Sequence, residues 1–205
     1  MDDTANGRKH AQLVIGFKGP RGVGKTTVAK QIYYRLSESL INVHMLSMST
    51  PLVWLTNLAL GYITELPFDP DEFDGDDAEI KATVLDTGKT YRQHLIDMSE
   101  GIKLAFGENY FVKAACEGIH EDGITLIHNV RFPAEAELCD YIVDVRAEGV
   151  YNSDSHRSER LHATIPHDVV FQNNHDDETG PECADYDRLT SQIIQWYNLK
   201  KDQSD

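Results

Sequence analysis

Short apolar runs alternate with longer amphipathic stretches along this chain. Leu13-Val14-Ile15-Gly16-Phe17 is apolar throughout, as expected of a strand buried on both faces of a parallel sheet. A glycine-rich turn follows, and Thr26–Leu36 then carries Val28, Ile32 and Leu36 on one helical face. Val43–Leu46 reads as the next strand, and Pro51, suited to a first helical turn, opens a helix through Leu60. Tyr91, Leu95, Met98 and Ile102 recur at helical spacing and predict a helix over Lys89–Gly101, with another from Glu108 to about His120. Ile124–Ile127 and Tyr141–Val145 are buried-strand runs, with a helix over Pro133–Leu138 between them. Tyr186–Leu199 reads as an amphipathic helix with Leu189, Ile193, Ile194 and Trp196 as core candidates. Strands alternating with helices predict an α/β fold, a three-layer sandwich with a mainly parallel sheet.

Two stretches lack this periodicity. Glu65–Glu79 has eight acidic residues in fifteen, with two prolines and a glycine, and reads as a loop or acidic flap. Asn152–Leu161 is polar, carries Arg157 and Arg160, and has the character of a short lid. A single domain is therefore expected, with a core over 10–150 and 163–200, a flap near 65–80, a lid near 151–162 and a polar tail at 201–205.

Composition narrows the function. At 205 residues, 40% hydrophobic and 26% charged, the chain has globular rather than disordered character. Its 34 acidic against 19 basic residues leave a net charge of −15, which opposes stable nucleic-acid binding. No apolar run reaches the roughly 18 to 20 residues that span a bilayer, and the opening MDDTANGRKH lacks a signal-peptide core. A soluble, cytoplasmic protein without a membrane partner is expected. Cys116, Cys139 and Cys183 form neither a metal-type spacing nor a disulfide framework. The cluster His175–Glu178 belongs to an acidic run continuing through Glu182, Asp185 and Asp187, so it reads as a solvated loop and no structural metal is assigned.

The strongest motif lies between the first strand and the first helix. Gly19-Pro20-Arg21-Gly22-Val23-Gly24-Lys25-Thr26 matches G-x-x-x-x-G-K-[ST] at every fixed position. Glycines let the backbone turn so that successive N–H groups face a triphosphate, and the following helix adds the positive end of its dipole. Lys25 is placed to neutralise the β- and γ-phosphates, the Thr26 hydroxyl to meet Mg²⁺, and Thr27 to pack or cap in the first turn. Gly19, Arg21, Gly22, Val23, Gly24, Lys25, Thr26 and Thr27 are thus the expected ATP-binding set, with Thr26 the metal ligand. A strand-end aspartate is the usual acidic partner of such a loop, yet Leu126-Ile127-His128-Asn129 ends in asparagine.

A kinase must also hold two anions together and exclude water, which calls for arginines. Arg131 lies past the carboxyl end of the Ile124–His128 stretch, where open α/β sheets bind ligands. Arg92 follows a Gly-Lys-Thr-Tyr turn at the start of a helix, and Arg157 and Arg160 occupy the lid stretch. Trp54, Tyr62 and Tyr91 are candidates for base stacking, although aromatic residues at helical positions more often serve the core.

Taken in order, these segments resemble the bacteriophage-type deoxynucleoside monophosphate kinases, a branch of the phosphate-loop nucleoside monophosphate kinases. The resemblance runs through Gly19–Thr27, Ser49-Thr50-Pro51-Leu52, Lys89-Thr90-Tyr91-Arg92 and Met98-Ser99-Glu100-Gly101. It continues through Phe106–Ala114, Val130-Arg131-Phe132-Pro133-Ala134-Glu135 and Asp154–Glu159. Only the phosphate loop is specific by itself; order and spacing carry the remainder.

The resemblance implies a P-loop containing nucleoside triphosphate hydrolase-type fold with a short arginine-bearing lid, using ATP and Mg²⁺ to convert a deoxynucleoside 5′-monophosphate to its diphosphate. It implies catalytic roles for Lys25, Arg131, Arg157 and Arg160, and acceptor contacts from Arg92, Asn129 and Arg131. It further implies an adenine contact from the Phe171-Gln172-Asn173-Asn174 turn, at Asn173, and the cytoplasm of a bacterial host for a phage-encoded protein. Either a monomer or a homodimer is compatible. The competing readings are a phosphate-loop kinase acting on a phosphorylated metabolite or on hydroxymethylpyrimidine in DNA, and a nucleotide-binding regulator of low turnover. Asn129 is the residue that favours the regulator.

Overall fold

The computed structural model describes residues 12–66, 68, 78–150, 161–173 and 184–204. The chain divides into two compact units, Met1–Leu46 with Ile119–Asp205, and Ser47–Gly118.

The first unit is built on five strands: β1 (Gln12–Lys18), β2 (Val43–Leu46), β3 (Gly123–Ile127), β4 (Tyr141–Arg146) and β5 (Val169–Gln172). Their spatial order is β2-β3-β1-β4-β5, and every pairing is parallel. β1 is therefore central, with β3 on one side and β4 on the other, and the chain changes direction across the sheet beside it. Its register sets Ile15 opposite Leu126 and Gly16 opposite both Ile127 and Ile142.

Alternation along the strands separates two faces. Leu13, Ile15, Phe17, Ile124, Leu126, Val143 and Val145 form one core with Val28, Ile32 and Leu36 of α1 (Lys25–Ser37). Leu189 and Ile193 join it from the long helix that closes the chain. On the opposite face Gly16 admits the segment following a short helix over Pro133–Ala136, because an added Cβ would come within 2.6 Å of Cys139 Sγ and 2.7 Å of Ile142 Cδ1. Burial, with the nearby Asp140 and Glu135 carboxylates, pushes the Cys139 thiol up to about 12.

The second unit contains α2 (Thr50–Gly61), α3 (Ala78–Ala82), α4 (Tyr91–Phe106) and α5 (Tyr110–Cys116). Val53, Leu60, Leu85 and Tyr91 are its core. Tyr91 is fully buried and donates its hydroxyl to Asn57 Oδ1 at 2.5 Å, so this candidate stacking residue is a core residue. Burial raises its phenol pKa above the ordinary tyrosine range. Trp54 and Tyr62 are exposed. In chain order the short helix over Pro133–Ala136 is α6 and the closing helix is α7 (Ala184–Ser204).

The expected strands all form, and one that the pattern did not announce is added. β5 takes up Phe171 and Gln172, expected in a turn; it lies at the sheet edge, where only Phe171 of its four residues is buried. Helix α4 begins later than expected because Thr90 caps it, accepting from Gln93 N in a reciprocal capping box. It also runs past Gly101, stopping where Gly107 turns to φ +95°. Helix α5 is shorter than the expected Glu108–His120, its last turn tightening as Gly118 N bonds the Ala115 carbonyl. Ala78 and Glu79, expected in the acidic flap, open α3, and the end expected as a tail continues α7 to Ser204.

Two tests follow from this packing. Gly16→Val should destabilise the protein by about 2 kcal/mol through overpacking against Cys139 and Ile142, seen as a lower urea midpoint at unchanged slope. A second concerns His44, whose ring stacks on His120 with centroids 3.4 Å apart and whose Nε2 is buried. Burial lowers its pKa, the neighbouring His120 adds to this, and Asp122 opposes it. The unfolded chain then takes up a proton near pH 6.5 that the folded chain resists, so this contribution is complete above about pH 6.5 and lost as the pH falls below it. Urea midpoints should decline as the pH falls below about 6.5, with a shallower decline in His44→Gln; equal slopes would remove His44 as the cause.

Candidate nucleotide-phosphate site

The site grows out of the carboxyl end of β1, at the centre of the parallel sheet. Gly19 has φ +142°, and a Cβ built there would collide with the carbonyl oxygen of Val145 on β4. The loop therefore leaves its strand in direct backbone contact with the neighbouring one, which only glycine permits. At the far end Gly24, at φ 80° and ψ 28°, caps α1 in the left-handed region, and its carbonyl accepts from Val28 N at 2.9 Å. The first turn of α1 thereby presents its N–H groups to the loop, as anion binding requires.

Between these hinges the loop is pinned from below. Val23 is fully buried, and its carbonyl accepts from Asn173 Nδ2 at 2.8 Å. Asn173 is itself buried, and its backbone N–H donates to the Arg146 carbonyl at 2.7 Å. Expected to meet adenine, Asn173 here braces the phosphate loop from the end of β5. Lys25 folds back over the loop, donating from Nζ to the carbonyls of Gly19 at 3.0 Å and Pro20 at 2.8 Å. Arg21, Gly22 and Thr27 are exposed.

Thr26 Oγ1 lies 3.1 Å from His128 Nδ1. His128 continues β3, its N–H donating to the Leu46 carbonyl at 3.3 Å, and Asn129 beside it is buried. A hard divalent cation fits this corner: the Thr26 hydroxyl supplies an oxygen ligand at a helix N-terminus. Among the described residues no cluster of three or more His, Cys, Asp or Glu side chains forms a cage. A cation held at Thr26 would take its other ligands from phosphate oxygens and water.

Beneath the loop a buried lysine precedes Gly19. Lys18 Nζ donates to the Ile165 carbonyl at 2.7 Å and the His162 carbonyl at 3.4 Å, on the 3-10 turn His162–Thr164 and its exit. It stands 3.7 Å from Asp144, which also pairs with Arg146 at 2.8 Å. Burial lowers the Lys18 pKa; Asp144 opposes the shift and Arg146 adds to it.

Arg131 is half-buried just beyond β3. Its backbone N–H and that of Phe132 donate to Glu135 Oε2 at 2.7 and 3.1 Å, so the buried Glu135 carboxylate holds the turn that carries the arginine. Arg92 sits in the first turn of α4, in the second unit. Arg157 and Arg160 lie outside the described residues, as do Cys183, the His175–Glu178 cluster and most of the acidic flap. The structure thus gathers Gly19–Thr27, Asn129, Arg131 and Asn173 in the first unit. Sequence reasoning passed over Lys18 and His128. For His128 the signal was available, since it shares the parity of Ile124 and Leu126 and so belongs to the α1 side of the sheet.

A five-stranded parallel sheet flanked by helices, with G-x-x-x-x-G-K-T turning from the central strand into a helix, is the P-loop NTPase fold. No protein-family model matches the chain, and no curated protein is similar to it in sequence. Among solved structures it is similar to thymidylate kinase from Ehrlichia chaffeensis, at 15% identity over 91% of this chain and 98% of that one, with a TM-score of 0.39. Shikimate kinase from Bacteroides thetaiotaomicron is similar at 12% identity over 90% and 99%, TM-score 0.40. Chaetomium thermophilum Kti12 in complex with ADP-AlF3 is similar at 16% over 90% and 98%, TM-score 0.41. Among the described residues no helix is long and apolar enough to cross a membrane.

The Asn173 brace is directly testable. Asn173→Ala leaves the Val23 carbonyl without this buried donor and should cost about 1–3 kcal/mol of stability. Nucleotide affinity should fall as well, because the loop loses its support from below. A Tm and an ATP affinity both equal to those of the parent would refute the role.

Proposed function

We propose that this protein is an ATP- and Mg²⁺-dependent phosphotransferase that converts a deoxynucleoside 5′-monophosphate to the diphosphate. The observation that carries the phosphotransferase reading is the complete phosphate loop, hinged at Gly19 and Gly24 and set at the end of the central strand. The choice of acceptor rests on the resemblance in sequence to the phage-type deoxynucleoside monophosphate kinases.

In this reading the loop N–H groups and Lys25 hold the β- and γ-phosphates. Lys25 Nζ exchanges its two loop carbonyls for phosphate oxygens, a stronger charge-assisted pairing. Thr26 offers its hydroxyl to Mg²⁺, which spreads the charge that builds on the transferring group. An oxygen of the acceptor's phosphate attacks the γ-phosphorus as the bond to the ADP oxygen breaks, so one P–O bond forms and one is lost.

Two phosphate-bearing anions, ATP and the monophosphate, must be brought together on a chain of net charge −15, so cations near the site are decisive. Arg131, on the turn fixed by Glu135, and Asn129 are proposed to contact the acceptor, and the resemblance in sequence implies an acceptor contact for Arg92 as well. Arg157 and Arg160 cover the transferring phosphoryl group and exclude water. The acidic surface disfavours a DNA acceptor, which needs a basic track for its backbone. The partner is a small nucleotide, with no membrane and no stable nucleic-acid complex, and the protein acts in the cytoplasm as a monomer or homodimer.

The deciding experiment is an ADP-release assay with MgATP against each common dNMP, each matching NMP, and DNA containing hydroxymethylpyrimidines. Turnover with one or more dNMPs is expected, and Lys25→Ala should reduce it about a hundredfold or more at unchanged Tm. Full activity in Lys25→Ala would overturn the loop's role. Turnover on the DNA alone would reassign the acceptor, and ATP binding without turnover on any acceptor would favour a regulator. Arg157→Ala should lower kcat more than it weakens ATP binding, as for a group acting mainly in the transition state.

A further inference from the structure

A hydroxyl that turns a lone pair toward a cation must give its single proton to another acceptor. At Thr26 an imidazole is in reach as that acceptor, with Oγ1 and His128 Nδ1 3.1 Å apart. His128 is held there by three constraints. The ladder bond from its N–H to the Leu46 carbonyl extends β3 by one residue. Strand alternation places it after Ile124 and Leu126 on the face that α1 covers. It is 7% exposed, so the ring has little freedom to leave.

We propose that His128 is a positioning residue that replaces a strand-end carboxylate: its unprotonated Nδ1 accepts the Thr26 proton and holds the hydroxyl lone pair outward for Mg²⁺. This rests on the nucleotide-binding reading of the same site and deepens it. The arrangement needs the tautomer that carries its proton on Nε2. It also gives a role to the residue before Asn129 at the end of β3, since His128 reaches Thr26 of the phosphate loop. A neutral acceptor orients the hydroxyl without attracting the cation by charge. Cation binding then depends on the phosphates of the nucleotide, and Mg²⁺ arrives with ATP instead of occupying the protein beforehand.

The test is titration calorimetry of the full chain with ATP, in Mg²⁺ and in EDTA, for the parent, His128→Leu, His128→Asn, Thr26→Val and the Thr26→Val/His128→Leu double variant. Binding in EDTA serves as the control for folding and for an intact loop. Mg²⁺ should tighten ATP binding by the parent. His128→Leu should lose about tenfold of that gain, the scale of one hydrogen bond to a charged site, with EDTA binding within about twofold of the parent. His128→Asn, whose Oδ1 falls near the place of Nδ1, should keep the gain. In Thr26→Val the gain should vanish, and adding His128→Leu should change nothing further, as expected for two groups acting through one contact.

A gain undiminished in His128→Leu would overturn the proposal. So would equal losses with and without Mg²⁺, an asparagine variant as impaired as the leucine, or a parent that shows no Mg²⁺ gain. A parent that binds ATP in neither condition would remove the nucleotide reading itself, and this inference with it; the EDTA titration separates that failure from the others.

Discussion

The Val145 carbonyl occupies the place where a side chain at position 19 would have to stand, and most of the first unit follows from that contact. Because Gly19 can press against the β4 backbone, the chain leaves β1 at once and begins a loop instead of another turn of strand. The loop can then close within a few residues, cross above the strand end and enter α1 at Gly24. Its floor is completed by groups that are distant in sequence: the Asn173 amide under Val23, and Lys18 beneath Gly19, tied to the carbonyls of His162 and Ile165. A loop that must keep its N–H groups turned inward cannot rely on its own glycines, which favour no single conformation. The buried bonds from β5 and from the 3-10 turn provide the order that the glycines give up.

The electrostatics show the same division between local and global charge. The chain as a whole is strongly acidic, yet four cations of the first unit stand at or just beyond the carboxyl ends of its strands: Lys18, Lys25, Arg131 and Arg146. Lys18 and Arg146 are engaged with Asp144, and Lys25 donates to carbonyls of its own loop. A buried ion pair adds little stability for its desolvation cost, but it fixes geometry at the root of the loop. The acidic remainder of the surface opposes polyanions such as nucleic acid.

Much of this was legible in the chain itself. Apolar runs marked four of the five strands, and the loop motif lay between the first of them and an amphipathic helix, as its chemistry requires. The apolar spacing puts the start of α4 two residues early at Lys89, although the capping box of Thr90 and Gln93 that sets it is written in the sequence. β5 was not legible, because an edge strand of four residues with one buried side chain has no periodic signature. Asn173 drew attention as part of an asparagine-rich turn, but its partner lies 150 residues away.

The sequence by itself determined the local code: the periods that set strand and helix, the caps, and glycines where a tight loop needs them. Those depend on neighbours within a few residues, so they can be read in one dimension. Tertiary structure decided which polar groups meet. Parallel pairing of β3 with both β1 and β2 carries His128 to Thr26, and pairing of β4 with β5 carries Asn173 to Val23. Composition constrains neither meeting, because each is set by strand register and by which face of the sheet a residue occupies. For the same reason a histidine meets Thr26, where the sequence alone drew attention to the asparagine beside it.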